Sequence, residues 1–191
     1  DDLLAWTPTD ASQQSFLDGL PGAQVREDAM LLSDFSTVPG FEAVGETTHY
    51  GSKVFASEED SSKRLTVIMA NRLPLEQQTG ADLIYFNEAY RSFVMVQYKA
   101  MEKREDEVEF RWQAKDQFCD EVERMETLLE ELRKLPSGEH PDGFRFSDNP
   151  FFLKFCPRVV FNPDDKGLFK GIYLPLDLWK RADAAGLFTG S

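Results

Sequence analysis

Cysteine and histidine are scarce in this chain of 191 residues, which has 2 of each. Cys119 and Cys156 lie far apart and form no Cys-x-x-Cys pair, whereas a structural zinc site needs about four such ligands. The composition therefore argues against structural zinc. The two cysteines could form a disulfide, but we expect two free thiols, as is usual in a reducing cytoplasm.

Several other features are missing. No apolar run approaches the ~18–20 residues of a membrane helix, and the N-terminus lacks the basic start and apolar core of a signal peptide, so we expect a cytoplasmic protein that does not bind membranes. Neither glycine-rich phosphate loop is present, and neither His49 nor His140 lies beside a nucleophile-elbow motif. These absences argue against kinase-like, dinucleotide-dependent and Ser-His-Asp chemistry.

Basic residues are outnumbered, with 21 Lys and Arg against 34 Asp and Glu, a formal net charge of −13. An acidic chain does not attract polyanions through its overall field. Binding to nucleic acid would therefore need a local basic face, a second copy of the chain or a protein partner that supplies one.

The length and the 41% hydrophobic content predict one domain of mixed α/β class. A short helix is expected over residues 9–20, and extended chain over 41–57 before the polar loop SEEDSS. The clearest strand signals are RLTVIMANR (64–72), ADLIYF (81–86) and SFVMVQYK (92–99), the last two forming a hairpin. The core is expected over about 64–135.

The strongest helix signal covers residues 113–135. Apolar side chains recur there at spacings of four and three, which predicts one stripe packed on the sheet; they are Phe118, Val122, Met125, Leu129 and Leu132. The glutamates are expected to lie largely elsewhere, in water. A coiled-coil or partner-binding role for this helix is the alternative.

Residues 139–191 are rich in proline, glycine and aromatics and are expected to form an extension of the core. RVVF and KGIYLP predict short strands joined by the turn NPDDKG, and LDLWKRADAAG predicts a closing helix. Bases are interleaved with these aromatics. Core packing is the preferred explanation of the aromatics; if the protein binds nucleic acid, Lys154, Arg158 and Lys170 are the predicted contacts.

The predicted hairpin has a geometric consequence. With residues 88–91 as its loop, Phe86 faces Phe93 and Asp82 stands opposite Gln97. Because side chains alternate along a strand, Lys99 projects to the same face as Gln97. We therefore expect one acid, one amide and one lysine to converge at the open end of the hairpin.

This constellation suits metal-assisted chemistry on a phosphate. Mg²⁺ binds carboxylate and amide oxygens, and a neighbouring lysine offsets negative charge on the phosphate. The spacing Asp-x14-Gln-x-Lys, with Asp82 in GADLIYF and Gln97 and Lys99 in VQYK, resembles the catalytic core of the PD-(D/E)xK nuclease superfamily. The match is to the Mrr-like variant, in which Gln replaces the second acid.

The resemblance implies a restriction-endonuclease-like core, in which a central mixed sheet is flanked by helices. It implies Mg²⁺- or Mn²⁺-dependent cleavage of nucleic acid, DNA rather than RNA, in bacterial restriction or phage defence. Asp82, Gln97 and Lys99 would be catalytic, and Asp82, Gln97 and Glu76 would bind the metal, with Glu42 and Glu46 as weaker candidates.

Two alternatives remain at this stage. Asp82 could cap a strand and Gln97 satisfy backbone groups while Lys99 emerges into water. The whole chain could also be a non-catalytic protein-interaction or regulatory domain that retains a nuclease-like fold, because the neutral Gln97 is a weaker metal ligand than an acid.

Overall fold

The computed structural model describes residues 27–47, 51–104, 107–113, 115–135, 147–158 and 167–188. The helix predicted over residues 9–20, His49 and His140 lie outside these residues. The described part is a mixed α/β fold built on an open sheet, as the sequence predicted.

Within the described residues, eight strands form the sheet, in the spatial order β1-β2-β3-β4-β5-β7-β8, with β6 paired to β5 outside this path. Strands β5 and β7 run parallel and all other neighbours run antiparallel, so the sheet is mixed. The strands are β1 (Phe41–Thr47), β2 (Ser52–Ser57), β3 (Arg64–Met69), β4 (Leu83–Asn87), β5 (Ser92–Arg104), β6 (Glu107–Glu109), β7 (Phe151–Pro157) and β8 (Ile172–Pro175).

Helices cover both faces of this sheet. On one face, α1 buries Met30 and Leu31 against alternate side chains of the central strands, among them Val96 and Tyr98. On the other face, α3 and α4 pack on the remaining side chains, including Met95. The helices of the described ranges are α1 (Glu27–Ser36), α2 (Pro74–Thr79), α3 (Gln117–Lys134) and α4 (Leu176–Ala184).

Helix α3 agrees with the predicted stripe except at one glutamate. Asp116 caps its start by accepting a hydrogen bond from the backbone N–H of Cys119 at 3.2 Å. The stripe side chains lie in the core. The expectation that the glutamates lie in water is wrong for Glu121, which is buried because it follows Phe118 by three residues and precedes Met125 by four, positions that share one helix face.

The β4–β5 hairpin has the predicted register. Phe86 pairs with Phe93 and Leu83 pairs with Val96. The extended chain expected over residues 41–57 is also confirmed for 41–47 and 52–57, which form the antiparallel pair β1–β2; residues 48–50 lie outside the described residues. The register therefore places Gln97 and Lys99 on the sheet face covered by α3, and Asp82, which directly precedes β4, bonds to the backbone of Tyr98 between them.

The C-terminal segment contributes more to the core than the sequence predicted. β7 is a strand that we did not predict, and it pairs in parallel with β5 near the middle of the sheet. β8 and α4 confirm the strand predicted in KGIYLP and the closing helix. Within RVVF, Arg158 follows β7 outside any strand, and 159–161 lie outside the described residues. The core thus extends beyond 64–135.

Two further expectations can be compared with the structure. Both cysteines are free, as expected, with Cys156 buried and Cys119 half-buried. Among the described helices, none has the length and apolar character needed to cross a membrane.

Candidate active site

The site begins where β5 runs past the end of β4. β4 pairs with β5 as far as Val96, and beyond this residue two backbone N–H groups of β5 donate to side chains. The N–H of Tyr98 donates to Oδ2 of Asp82 at 2.8 Å, and the N–H of Ala100 donates to Oε2 of Glu27 at 3.0 Å. Two carboxylates thus lie along one strand edge, at positions about 7 Å apart.

The backbone of Asp82 is fixed by its neighbours on both sides. Its carbonyl accepts hydrogen bonds from the N–H groups of Ala70, at 2.7 Å, and Asn71, at 3.1 Å. Its own N–H donates to the carbonyl of Val96 at 2.9 Å. Asp82 is only 3% exposed, so this acid is held in place at the junction of three strands.

A glycine before Asp82 brings α2 against α3. Gly80 ends α2 with φ of 69°, a left-handed conformation that favours glycine. A Cβ atom at this position would lie 2.4 Å from the carbonyl oxygen of Glu121. The absence of a side chain at Gly80 therefore sets the position of Glu121 relative to Asp82.

The electrostatic environment of Asp82 favours its protonated form. Burial raises the pKa of Asp82 well above its usual range, and the negative charges of Glu27 and Glu121 add to this. The hydrogen bond from Tyr98 and the positive charge of Lys99 act in the opposite direction. These groups therefore belong to one electrostatic cluster.

Lys99 is held by an acid that the sequence did not identify as part of the site. Its Nζ lies 2.6 Å from Oε2 of Glu121, and the two side chains are 11% and 1% exposed. The other carboxylate oxygen of Glu121 accepts a hydrogen bond from Nε2 of Gln117 at 3.0 Å. Burial raises the pKa of Glu121, while the charge of Lys99 and its hydrogen bond lower it in part.

Gln97 is buried beside the same backbone segment as Asp82. Its Nε2 donates to the backbone carbonyl of Tyr98 at 3.4 Å. Asp82 therefore binds the backbone N–H of Tyr98, and Gln97 binds the backbone carbonyl of the same residue. Its Oε1 is buried and has no hydrogen-bond partner within the described ranges. Asp82 and Gln97 thus contact backbone as one alternative expected, but Lys99 forms an ion pair and does not emerge into water.

A polar cleft of about 540 Å³ lies beside this group. Three of its residues connect it to the buried side chains: Glu27 at the β5 edge, Gln117 on Glu121, and Glu76, whose charge raises the pKa of Glu121. The cleft is lined by Glu27, Asp28, Asn71, Arg72, Glu76, Gln117 and Arg158.

The predicted acids fall in different places. Glu76 lines the cleft, where its carboxylate accepts a hydrogen bond from the backbone N–H of Arg72. Glu42 and Glu46 lie exposed on β1, which two strands separate from β4, so the structure does not bring them to the site. Glu27, which the sequence did not suggest, is an acid that lies on the β5 edge next to Asp82; residues 24–40 offered no clear pattern that would have identified it.

The three residues predicted to contact nucleic acid also lie in different places. Arg158 lines the cleft, and Lys170 is exposed outside the strands. The prediction that Lys154 contacts nucleic acid is wrong. Lys154 is 0% exposed and forms an ion pair with Asp34 of α1, so its ammonium does not face a ligand in solution. Its position on β7 directs it into the face of the sheet that α1 covers.

The pair of Lys154 and Asp34 forms a second polar cluster, on the opposite face from Lys99. The hydroxyl of Tyr98 donates to Asp34 at 2.5 Å, and the N–H of Phe169 donates to its other oxygen. Nζ of Lys154 lies 4.9 Å and 4.8 Å from the ring centres of Tyr98 and Tyr173. Burial opposes the charge on Lys154, yet Asp34 holds its pKa above the ordinary value.

The oxygen donors near Asp82 fit a sparsely coordinated divalent cation. Within the described residues, no group of three or more His, Cys, Asp or Glu side chains is arranged to hold a metal ion. Mg²⁺ commonly binds one or two carboxylates together with water and substrate oxygens. Asp82 contributes one carboxylate of this chemistry, and Gln97 contributes an amide oxygen without a hydrogen-bond partner in the described residues.

Comparison with known proteins identifies no relative. No protein-family model, no curated protein and no solved structure matches this chain. The class defined by the described residues is a mixed α/β fold with an open central sheet flanked by helices. Inference about function therefore depends on the geometry of the cleft and the side chains beside it.

Proposed function

We propose that this protein hydrolyses phosphodiester bonds with the help of a divalent metal ion bound beside Asp82. The observation that carries the proposal is the placement of Gln97 and Lys99 on one face of the β4–β5 hairpin, with Asp82 bonded to the backbone between them, next to a polar cleft. Membership of the PD-(D/E)xK superfamily, with its restriction-endonuclease-like core, is part of this proposal. The open mixed sheet with helices on both faces supports it.

The side chains have distinct roles in the proposed reaction. Asp82 in its ionised form and Oε1 of Gln97 would hold Mg²⁺ or Mn²⁺, with Glu27 and Glu76 near the same cleft. The metal would lower the pKa of a water molecule and offset negative charge on the phosphate. Lys99 would orient the attacking water and stabilise charge on the phosphate as the P–O bond breaks.

The charge balance of the cleft supports a metal-dependent reaction. Three carboxylates and two guanidinium groups line it, so a phosphate would meet an excess of negative charge unless a cation were bound. The carboxylates are Glu27, Asp28 and Glu76, and the guanidinium groups are those of Arg72 and Arg158.

The substrate and the biological role are proposed from the resemblance. The substrate would be nucleic acid, DNA rather than RNA, and the role would be restriction or phage defence. A long polyanion would not be attracted by a chain of net charge −13. A second copy or a protein partner would then supply the basic surface, and this expectation stays a prediction.

The test compares two lysines, each paired with a glutamate of α3. Lys99 pairs with the buried Glu121, whereas Lys180 pairs with Glu126 at 3.0 Å on the surface. The wild type and the variants Lys99→Ala and Lys180→Ala are incubated with plasmid DNA, single-stranded DNA, RNA and small phosphodiesters, with Mg²⁺ or Mn²⁺.

We expect Lys99→Ala to reduce the rate about 100-fold or more and Lys180→Ala to leave it unchanged. Equal rates for the wild type and Lys99→Ala would contradict the proposal. A lack of metal-dependent cleavage by the folded wild type on every substrate would also contradict it.

A second candidate function is a non-catalytic interaction domain with a nuclease-like fold. One observation favours it: Lys99 is engaged by Glu121 at 2.6 Å, so its ammonium already has a counter-ion. Under this alternative the wild type binds no divalent metal in the cleft and cleaves no phosphodiester. The same incubation therefore separates the two functions.

A further inference from the structure

The cleft has the size of a small-ligand site. Its volume of about 540 Å³ falls within the ~300–1,000 Å³ typical of pockets that enclose a small molecule. A specific contact with duplex DNA covers about 1,000–2,500 Å² of protein surface. A substrate with one scissile phosphodiester and a base on each side matches the cleft better than a continuous duplex does.

The surface next to the cleft is unfavourable for a longer polyanion. Helix α2 carries Glu76 into the cleft and Gln78 into an adjacent groove along α3. That groove contains three acids, Asp120, Glu123 and Glu131, and one base, Arg124. A nucleic-acid strand that left the cleft across α2 would meet this negative charge.

Within the cleft, Arg158 can recognise a phosphate. Its Nε is buried and has no hydrogen-bond partner in the part of the chain that the structure describes. Arg72 is the other arginine of the cleft lining. Its guanidinium already contacts both carboxylate oxygens of Asp28, at 2.8 Å and 3.0 Å. Since a guanidinium binds phosphate oxygens in a planar fork, Arg158 has a donor available for a phosphate and, unlike Arg72, no ion pair with an acid of the cleft lining within the described residues.

We infer that the substrate is a phosphodiester of about dinucleotide size, bound in this cleft with a phosphate oxygen on Arg158. The inference rests on the proposed hydrolytic function and narrows the predicted substrate from nucleic acid in general to a small phosphodiester. The water oxygen forms the new bond to phosphorus, and the alcohol of one nucleoside leaves after taking up a proton.

The inference is tested by substrate size and by salt. The wild type is assayed with Mn²⁺ on a dinucleoside monophosphate, a single-stranded oligonucleotide and a linear duplex, at about 50 and 200 mM salt, the range over which multi-phosphate contacts weaken binding strongly. We expect the highest kcat/KM for the dinucleoside monophosphate, with less than about a twofold change between the two salt concentrations.

A higher kcat/KM on the duplex, falling steeply with salt, would overturn this inference and leave the proposed function in place. A lack of cleavage of all three substrates would overturn both. These two failures are therefore distinguishable in one set of assays.

Two matched variants test the role of Arg158. Arg158→Gln should raise KM for the dinucleoside monophosphate about tenfold, because one charge-assisted phosphate contact is lost, and Arg158→Lys should restore part of the loss. Lys63→Gln, at an exposed pair with Asp60 in the β2–β3 turn, should leave KM unchanged. An unchanged KM in Arg158→Gln would overturn the assignment of the phosphate contact.

Discussion

Two lysine–carboxylate pairs lie on opposite faces of the same sheet and differ in what surrounds them. Lys154 and Asp34 are 0% exposed, and both oxygens of Asp34 are occupied by donors from Tyr98, Phe169 and Lys154. Lys99 and Glu121 lie beside a polar cleft, and Lys99 keeps 11% of its side chain exposed. The first pair is closed to any ligand, whereas the second is connected to the cleft through Gln117, which lines the cleft and donates to Glu121.

The difference shows why a buried ion pair alone does not indicate a functional site. In both pairs the charges are taken out of water and compensated by each other. Unused polar groups lie near both pairs among the described residues: Oε1 of Gln97 and Nε of Arg158 near Lys99, and the hydroxyl of Tyr85 near Asp34. Of these three residues, Arg158 lines the polar cleft and Tyr85 does not. Unused donors and acceptors beside a cleft distinguish the candidate site from a structural cluster.

The largest expected effect on stability comes from breaking the closed pair, Lys154 and Asp34; Lys99 and Glu121 form the open pair. Asp34→Asn leaves the Lys154 charge buried without a counter-ion, and we expect the free energy of unfolding to fall by about 3–5 kcal/mol. Glu121→Gln should cost only about 1.5 kcal/mol, since Lys99 can turn its ammonium toward the cleft. Urea denaturation followed by tryptophan fluorescence at neutral pH measures both; equal losses would contradict the distinction between a closed and an open pair.

A smaller effect on stability is expected at Gly80, whose backbone packs against the backbone of Glu121 in the open pair. Gly80→Ala places a methyl group against the carbonyl of Glu121 in a left-handed conformation, and should lower stability by about 2–4 kcal/mol. Gly40 is the matched control, because it also has a positive φ but has no atom within 4 Å of an added Cβ. Gly40→Ala should cost about 1 kcal/mol. Equal losses in thermal or urea denaturation would argue against close contact of α2 with α3.

The smallest effect concerns the pH dependence of stability at Asp82. The folded protein raises the pKa of Asp82 above its usual value of 3.8, so this group's contribution to stability is fully present below that value and is lost as the pH rises through the raised pKa. In Asp82→Asn the amide cannot ionise and this loss disappears.

We therefore expect the stability of Asp82→Asn relative to wild type to increase as the pH is raised from about 4 toward neutrality. The urea midpoints of both proteins across this range provide the measurement. A difference that stays constant with pH would show that Asp82 ionises at its ordinary pKa.

The sequence predicted the parts of the fold that local patterns determine. The loop length and the two apolar runs of the hairpin determined its register, and the register brought Gln97 and Lys99 to one face, with Asp82 bonded to the backbone between them. The stripe of α3 was equally clear. The signal for Glu121 was also present, because it stands on this stripe three residues after Phe118.

Other features depend on contacts between segments that are distant in sequence, and the local sequence could not predict them. Lys154 lies in an aromatic and basic segment that is typical of nucleic-acid binding, but its partner Asp34 is 120 residues away in sequence. β7 lies within a segment interpreted as an extension, although Pro150 and Pro157 bracket its apolar run. Glu27 reaches the β5 edge only because α1 packs across the sheet.

The central claim, that the open site binds a divalent cation through Asp82, is tested most directly by calorimetric titration with Mn²⁺ in the absence of substrate. We expect one binding site in the wild type, an affinity at least about tenfold lower in Asp82→Asn, and no change in Asp60→Asn, a carboxylate of the β2–β3 turn. No binding by the folded wild type, or equal affinity in Asp82→Asn, would contradict the claim.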